Sequence, residues 1–464
     1  MNYNSGFLRN LYDNSFPAFR NLMTSFYGLY KNRSDHGKYY TAYLNLLRKS
    51  QYWSNDKLEE YSQAQLNEFI NTIHNSSFYR DKVYSGEFRE FPLINKGIVR
   101  SRIKEIYSDK VKITRHKLSH TSGTTGSAII FPLSMKCYQR DIAFRTLAYN
   151  WAEVYPGKDK IAHCSGHVVT PAQHDAPPFW TYDYWSKQLY MSSYHMSQNN
   201  LKYYLEELEK FQAEVIHGYP SSIYLLALAY KSQSSRKLKL KAIFTSSETL
   251  MPLQRAIIEG AFQAKVYNYY GNTEMTSNIV ECEKGELHLK HEYSYVEILN
   301  DANEKCKPGE RGKIVSTNFS NELFPLVRYE IGDYVTVSPN QNSLCGRGGL
   351  LIEKIEGRDE DYIVTGEGRL VGRLDHIFKD SINIINAQIY QKIPGEVILR
   401  IVKNDKYSSK DENDIHGEAT KRLGLNTKII FEYVAEIERS SNGKFRFINS
   451  ELDLNKYRDT YSIG

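Results

Sequence analysis

The sequence predicts an α/β protein with a large N-terminal domain and a small C-terminal α+β domain. Three observations predict it. Between Val215 and Tyr270, short apolar runs alternate with helical stretches, the pattern of a parallel sheet layered with helices. From Gly285 onward the texture becomes β-rich, which suits a distorted β-barrel inside the large domain. After residue 360 it changes again, to strands near Leu370 and over 398–402, a helix before Gly424 and a strand over 428–434. The large domain is therefore expected over 1–359 and the small one over 361–464.

With 464 residues, two or three domains and a large core are possible. Hydrophobic residues at 41% and charged ones at 25% describe an ordinary globular chain. The formal charge of +6 is spread along the sequence without a basic run, which argues against a nucleic-acid partner. No apolar run approaches the ~20 residues that span a membrane. The aromatic-rich stretch 1–33 is broken by Arg9, Asp13 and Arg20, so it lacks the core of a signal peptide. Five cysteines, an odd number, argue against a disulfide framework and for a reducing compartment; the cytoplasm is expected.

Taken in order, residues 1 to about 75 read as a helical lead-in, with Leu66, Phe69, Ile70 and Ile73 at helical spacing. The aromatic stripe from Phe7 to Tyr27 reads as a packing face. Pro92 marks a loop leading into a helix from Lys96 to Ile106. His120 to Ser127 then packs five hydroxyls and two glycines into eight residues, with no large apolar side chain. Such a segment either forms an ordinary Ser/Thr-rich surface turn or wraps an anion with its N–H and hydroxyl groups, ATP phosphates being the obvious candidate. It is not a Walker loop: two residues separate the glycines, no lysine follows, and Ala128 to Pro132 reads as a strand.

A helix over 138–151 and a buried strand over 160–163 follow. The stretch from His163 to Asp183 reads as an aromatic, histidine-bearing loop that either lines a carboxylate-substrate pocket or serves as a plain loop cover. Ser221 is expected to cap a helix running to Tyr230. Thr245 to Glu248 ends one strand and Tyr269 to Gly271 ends the next. Ligands of a parallel sheet sit at strand carboxyl ends, so these two motifs share one rim. Residues 403–414 read as a polar loop.

Tyr270-Gly271-Asn272-Thr273-Glu274, Arg328-Tyr329-Glu330-Ile331-Gly332-Asp333, Gly357 to Asp361 and Gly443-Lys444 follow the hydroxyl-rich loop in order. Together these segments resemble the adenylate-forming superfamily of acyl-CoA synthetases, adenylation domains and luciferases. Ser76 to Arg80 and Phe91 to Lys96 resemble its phenylacetate-CoA-ligase-like branch, and within it the CapK-like proteins of capsular polysaccharide biosynthesis.

The resemblance implies ATP- and Mg²⁺-dependent activation of a small carboxylic acid as acyl-AMP. Transfer to the thiol of CoA or a carrier protein would follow. An amine acceptor is the alternative within the class, and a non-catalytic ATP-binding scaffold the alternative outside it. Thr121, Ser122, Gly123, Thr124, Thr125 and Gly126 would hold the β- and γ-phosphates. Many relatives carry a lysine after this loop, where this chain has Ser127 and Ala128. Tyr270, followed by Gly271, would stack on adenine, with Glu248 on the adenine side. Thr273 would bond the α-phosphate and Glu274 would hold Mg²⁺. Asp333, with Arg328 nearby, and Arg358 would hold the ribose. Glu360 would be the hinge of a mobile small domain, which carries the catalytic Lys444.

Cys282, His288 and Cys345 resemble positions of a structural zinc site in some members of that branch. Ser343 replaces a further cysteine ligand, with Cys306 as a substitute to consider. The expectation is that zinc binding has lapsed.

Overall fold

The computed structural model describes residues 6–80, 88–120, 129–167, 169–171, 174, 176–196, 199–232, 238–248, 250, 252–357, 363–371, 374–378, 381, 383–403, 405–435, 437 and 448–452. The expected phosphate loop (Thr121 to Gly126), Arg358, Glu360 and Lys444 lie outside the described residues.

Helices α1 (Gly6–Asp13), α2 (Pro17–Asp35), α3 (Lys38–Ser50), α4 (Asn55–Ile70), α5 (Ser77–Arg80), α6 (Lys96–Ser101) and α7 (Ile103–Ile106) lead in. Strands β1 (His116–His120) and β2 (Ile130–Ser134) form a two-stranded ladder, and α8 (Met135–Trp151) follows. Next come β3 (Ile161–Ser165), β4 (Trp180–Asp183), β5 (Gln188–Ser192), α9 (Leu201–Phe211), β6 (Val215–Gly218) and α10 (Pro220–Ser232). They lead to β7 (Ala242–Ser246), α11 (Pro252–Phe262) and β8 (Val266–Gly271). The β-rich part holds β9 (Asn278–Glu281), β10 (Leu287–Leu289), β11 (Tyr295–Leu299), β12 (Arg311–Thr317), β13 (Tyr329–Val337) and β14 (Leu350–Gly357). The tail of the chain adds β15 (Ile363–Val364), β16 (Leu370–Val371), β17 (Ile384–Gln391), β18 (Glu396–Lys403), α12 (Ser409–Leu423), β19 (Lys428–Tyr433) and β20 (Ile448–Ser450).

The chain divides into two compact units. One comprises Met1–Leu118 and Pro132–Gly357, the other Ser119–Phe131 and Arg358–Gly464. In the first, twelve strands form one sheet in the order β11-β12-β13-β14-β10-β9-β8-β7-β6-β3-β5-β4. Strands β5, β3, β6, β7 and β8 run parallel, and β9 turns back antiparallel to β8. The β-rich part thus continues the parallel sheet through β9 rather than standing apart from it. Both faces of the parallel strands are covered, as such strands require. Leu205 of α9, Ile223 and Leu226 of α10 and Ile258 of α11 pack on Ile216 and Ile243. On the other face, Tyr149 of α8 packs on Ile161, Val215 and Ala242. Helix α8 starts where Ser134 accepts a bond from the Cys137 N–H, satisfying an otherwise unpaired donor.

The second unit is a four-stranded sheet, β19-β18-β17-β20. Leu399 and Ile401 of its central strand β18 are buried with Ile415, Ala419 and Leu423 of α12.

Several local expectations are corrected. The helix expected from Lys96 to Ile106 breaks at Arg102, whose φ of −118° and ψ of 23° leave the helical region. Pro220 opens α10, so Ser221 lies inside its first turn rather than capping it. The stretch from His163 to Asp183 is not all loop, since β4 forms the sheet edge. The polar stretch 403–414 already contains the start of α12, set by a capping box between Ser408 and Asp411. No helix among the described residues is long and apolar enough to cross a membrane.

Candidate active site

Strands β7 and β8 end side by side, with Ser246 opposite Tyr269. One residue further, Tyr270 donates its hydroxyl to Asp333 Oδ2 at 2.7 Å, so β8 and β13 meet at one point despite their separation in sequence. Both residues are half-buried, as is Glu248 just beyond β7.

After Gly271 the chain turns sharply back into β9. Asn272 holds the turn: its side-chain oxygen accepts from the N–H groups of Thr276 (2.9 Å) and Ser277 (3.2 Å). Met275 takes the left-handed conformation, φ 55°, which the surroundings must hold. They do so through its carbonyl, which accepts from Arg140 at 3.0 Å and from the Asn318 amide at 2.7 Å. Arg140 is fully buried, and its guanidinium lies 4.1 Å from the Tyr293 ring centroid. The sequence reading passed over Arg140, because one arginine within a helix carries no signal of depth.

The turn presents Thr273 to solvent and buries Glu274 to 9% exposure. Tyr329 donates to Glu274 Oε1 at 2.9 Å, which fixes the carboxylate and leaves its other lone pairs for a ligand. A hard divalent cation suits such a carboxylate.

Arg328 is placed differently from the expectation of a ribose neighbour. Its guanidinium makes two 3.0 Å bonds to the Glu297 carboxylate and donates to the carbonyls of Arg89 (2.9 Å) and Phe91 (3.0 Å). Every guanidinium nitrogen is thus engaged, and the residue clamps residues 89–91 against β11 and β13.

Cys282, Glu286, His288 and Cys345 bring four ligand atoms within 4.8 Å of one another. Cys345 Sγ lies 3.4 Å from His288 Nε2, Cys282 Sγ 3.8 Å from Glu286 Oε2, and His288 Nε2 3.9 Å from Glu286 Oε2. Ligands around tetrahedral zinc are separated by about 3.3–3.8 Å. His288 Nδ1 meets the Gly348 carbonyl at 3.2 Å, so Nδ1 carries the proton and Nε2 is free to ligate. Burial holds the His288 imidazole neutral, with a pKa of about 4. Glu286, rather than Cys306, is the fourth group beside the three expected positions, and its carboxylate also accepts from Ser343 Oγ and from the N–H groups of Leu344 and Cys345. Cys306 Sγ instead meets the Arg311 carbonyl at 3.5 Å. Spacing could not reveal Glu286, because glutamate is too common in sequences to stand out as a ligand.

Among known proteins, residues 363–451 match the family model of the CapK C-terminal domain. The chain is 29% identical over 462 residues to Protein CapK of Staphylococcus aureus, covering 95% of this chain and 98% of that one. It is 27% identical over 164 residues to a phenylacetate-coenzyme A ligase of Thermus thermophilus, covering 34% of this chain and 37% of that one. In structure it resembles 2-hydroxyisobutyryl-CoA ligase in its thioesterification state, with a TM-score of 0.57 at 17% identity over 89% of this chain and 94% of that one. Fold and sequence likeness together are those of an adenylate-forming ligase, with similarity to a phenylacetate-CoA ligase over 34% of the chain. Over nearly its whole length the chain is similar to CapK.

Proposed function

We propose that this protein activates a carboxylic acid with ATP and passes the acyl group to a thiol of CoA or a carrier protein. A carboxylate oxygen attacks the α-phosphorus, the bond to the bridging oxygen breaks, and pyrophosphate leaves. The thiol, losing its proton, then attacks the acyl carbon and AMP departs. The observation that supports this most directly is the convergence of Tyr270, Glu274 and Asp333 at the carboxyl rim of the sheet.

In this reading the Tyr270 ring supports adenine, with Glu248 on the adenine side, while its hydroxyl orients Asp333 toward the ribose. Thr273, exposed beside Glu274, bonds the α-phosphate. Mg²⁺ held by Glu274 would neutralise phosphate charge. Thr121 to Gly126 hold the outer phosphates, and Arg358 holds the ribose. Lys444 meets the reacting oxygens, and Glu360 is the hinge about which its domain turns. Arg328 acts by clamping the wall behind β13. Kinship with CapK is the support for a role in capsule or surface-polysaccharide biosynthesis.

The test is ATP–pyrophosphate exchange over a broad panel of aryl, fatty, hydroxy and amino acids. Exchange with one class of acid is expected, falling about 10²–10³-fold in Glu274→Ala and in Lys444→Ala. Exchange that survives both substitutions would overturn the assignment of the site.

A further inference from the structure

Behind the rim, one face of the parallel strands changes character along its length. Near the strand starts it is apolar: Ile161, Val215 and Ala242 pack under Tyr149. Side chains alternate faces along a strand, so the same face next presents His163 on β3 and His217 on β6. These two are directly paired in register, with ring centroids 5.7 Å apart. Further along it presents Ser165, Ser246 and Tyr269. Protein surrounds both histidines in the middle of the sheet, yet both keep partial solvent contact. They therefore form a wall that solvent reaches rather than part of a sealed core.

Beside His217 this wall carries the apolar ring of Phe244, and the groups around it are polar. His217 is fixed at both nitrogens, by the Tyr149 hydroxyl at 2.5 Å and by Ser246 Oγ at 3.1 Å. His163 Nε2 meets Gln188 Oε1 at 3.1 Å, and Tyr190 donates to that same oxygen at 2.6 Å. His163 Nδ1 and both ring nitrogens of His167, which sits edge-on to Tyr190, have no protein partner among the described residues. Arg145 is paired with Asp141, whose other oxygen takes the Tyr293 hydroxyl at 2.8 Å. The Asp141 carboxylate is thus engaged at both oxygens and is not left to hold an ammonium group. Burial keeps both imidazoles neutral: His163 spends its donor, Nε2, on the Gln188 oxygen and offers Nδ1 as an acceptor, while His167 offers one donor and one acceptor. A hydroxyl is the group that answers both. An alkyl or aryl chain would leave these nitrogens unpaired. Three strand spacings, roughly 14 Å, separate β8 from β3, room for an acid of about six carbons.

We propose that the acid taken by this site is a polyhydroxylated carboxylic acid, its hydroxyls meeting His163 and His167 while its carboxylate faces the Thr273–Glu274 rim. This rests on the adenylation reading above, and His217 serves as the positioning residue of the wall.

The test measures pyrophosphate exchange with two matched pairs, D-gluconate against hexanoate and quinate against cyclohexanecarboxylate, together with 6-aminohexanoate. In at least one pair the hydroxylated acid should exceed its deoxy partner about tenfold or more in kcat/KM. In His163→Phe and, separately, His167→Leu that ratio should fall about tenfold. Both acids are read on the same enzyme, so a loss of folded protein leaves the ratio unmoved. Equal or better use of the deoxy acids, preference for 6-aminohexanoate, a ratio unchanged in both variants, or silence with all five acids would overturn the inference. The adenylation reading falls separately, only if the broad panel is silent too.

Discussion

At the scale of single residues, the site depends on side chains that hold other side chains. Asp333 is half-buried and takes the Tyr270 hydroxyl at 2.7 Å. Tyr270→Phe keeps the ring and removes that bond, which is worth about 1 kcal/mol. The expected outcome is a KM for ATP raised about fivefold, with little change in melting temperature, read by steady-state exchange and thermal unfolding. A KM left unchanged would mean that Asp333 needs no orienting partner. Arg328 and Arg140 show the same economy: both guanidinium groups serve neighbouring carbonyls, and Arg140 reaches Glu274 only through the turn at Met275.

At the scale of elements, two close approaches set the geometry. Gly218 ends β6 against β3, and a Cβ there would stand 2.1 Å from the Cys164 carbonyl oxygen. Gly218→Ala must push β6 away from β3, at about 1–3 kcal/mol or more. Denaturant unfolding should show the loss, and exchange should fall with it, because His163 and His217 sit on those two strands. The second approach is the junction of β9, β10 and the segment before β14, where Cys282, Glu286, His288 and Cys345 meet. One zinc per chain is expected by metal analysis, and Cys345→Ser or Glu286→Ala should reduce it. Removal of the ion by chelation should lower the melting temperature. Protein purified without metal chelators that carries no zinc, and takes none up, would refute the site.

At the scale of the whole molecule, the buried imidazoles make stability depend on pH. Burial lowers His163 to about 4 and His167 to about 3, against ~6.5 in an unfolded chain. Between pH 6.5 and 4 the unfolded state therefore binds more protons than the folded one. Stability should fall as pH drops through that window, by at most ~1.4 kcal/mol per pH unit for each such histidine. Above pH 7 these groups contribute no slope. Denaturant midpoints measured from pH 7.5 to 4.5 check this, and a flat profile would show that the histidines are solvated.

How far the sequence reached follows from what each feature needs. Alternating apolar runs and turn residues fix local elements, so the parallel strands from Val215 to Tyr270 and the rim at Glu248 and Tyr270 were legible from the chain alone. The motifs around Glu274 and Asp333 were read from their ordered resemblance to the adenylate-forming superfamily, since taken singly such carboxylates more often serve as caps or surface charges. Strands β4, β5, β14 and β17 were not read from the sequence, although β14 and β17 carry strand-forming residues such as Ile352, Ile355, Ile384 and Ile389.

Contacts between distant segments were decided only by the tertiary structure. Strand register set His163 beside His217, and the fold turned Arg328 toward Glu297. It also brought Glu286 to Cys345 and buried Arg140 under the Glu274 turn. The physical reason is common to all four. A side chain's type is written in the sequence, but its partner is chosen by the packing of whole elements, and that packing depends on the entire core at once.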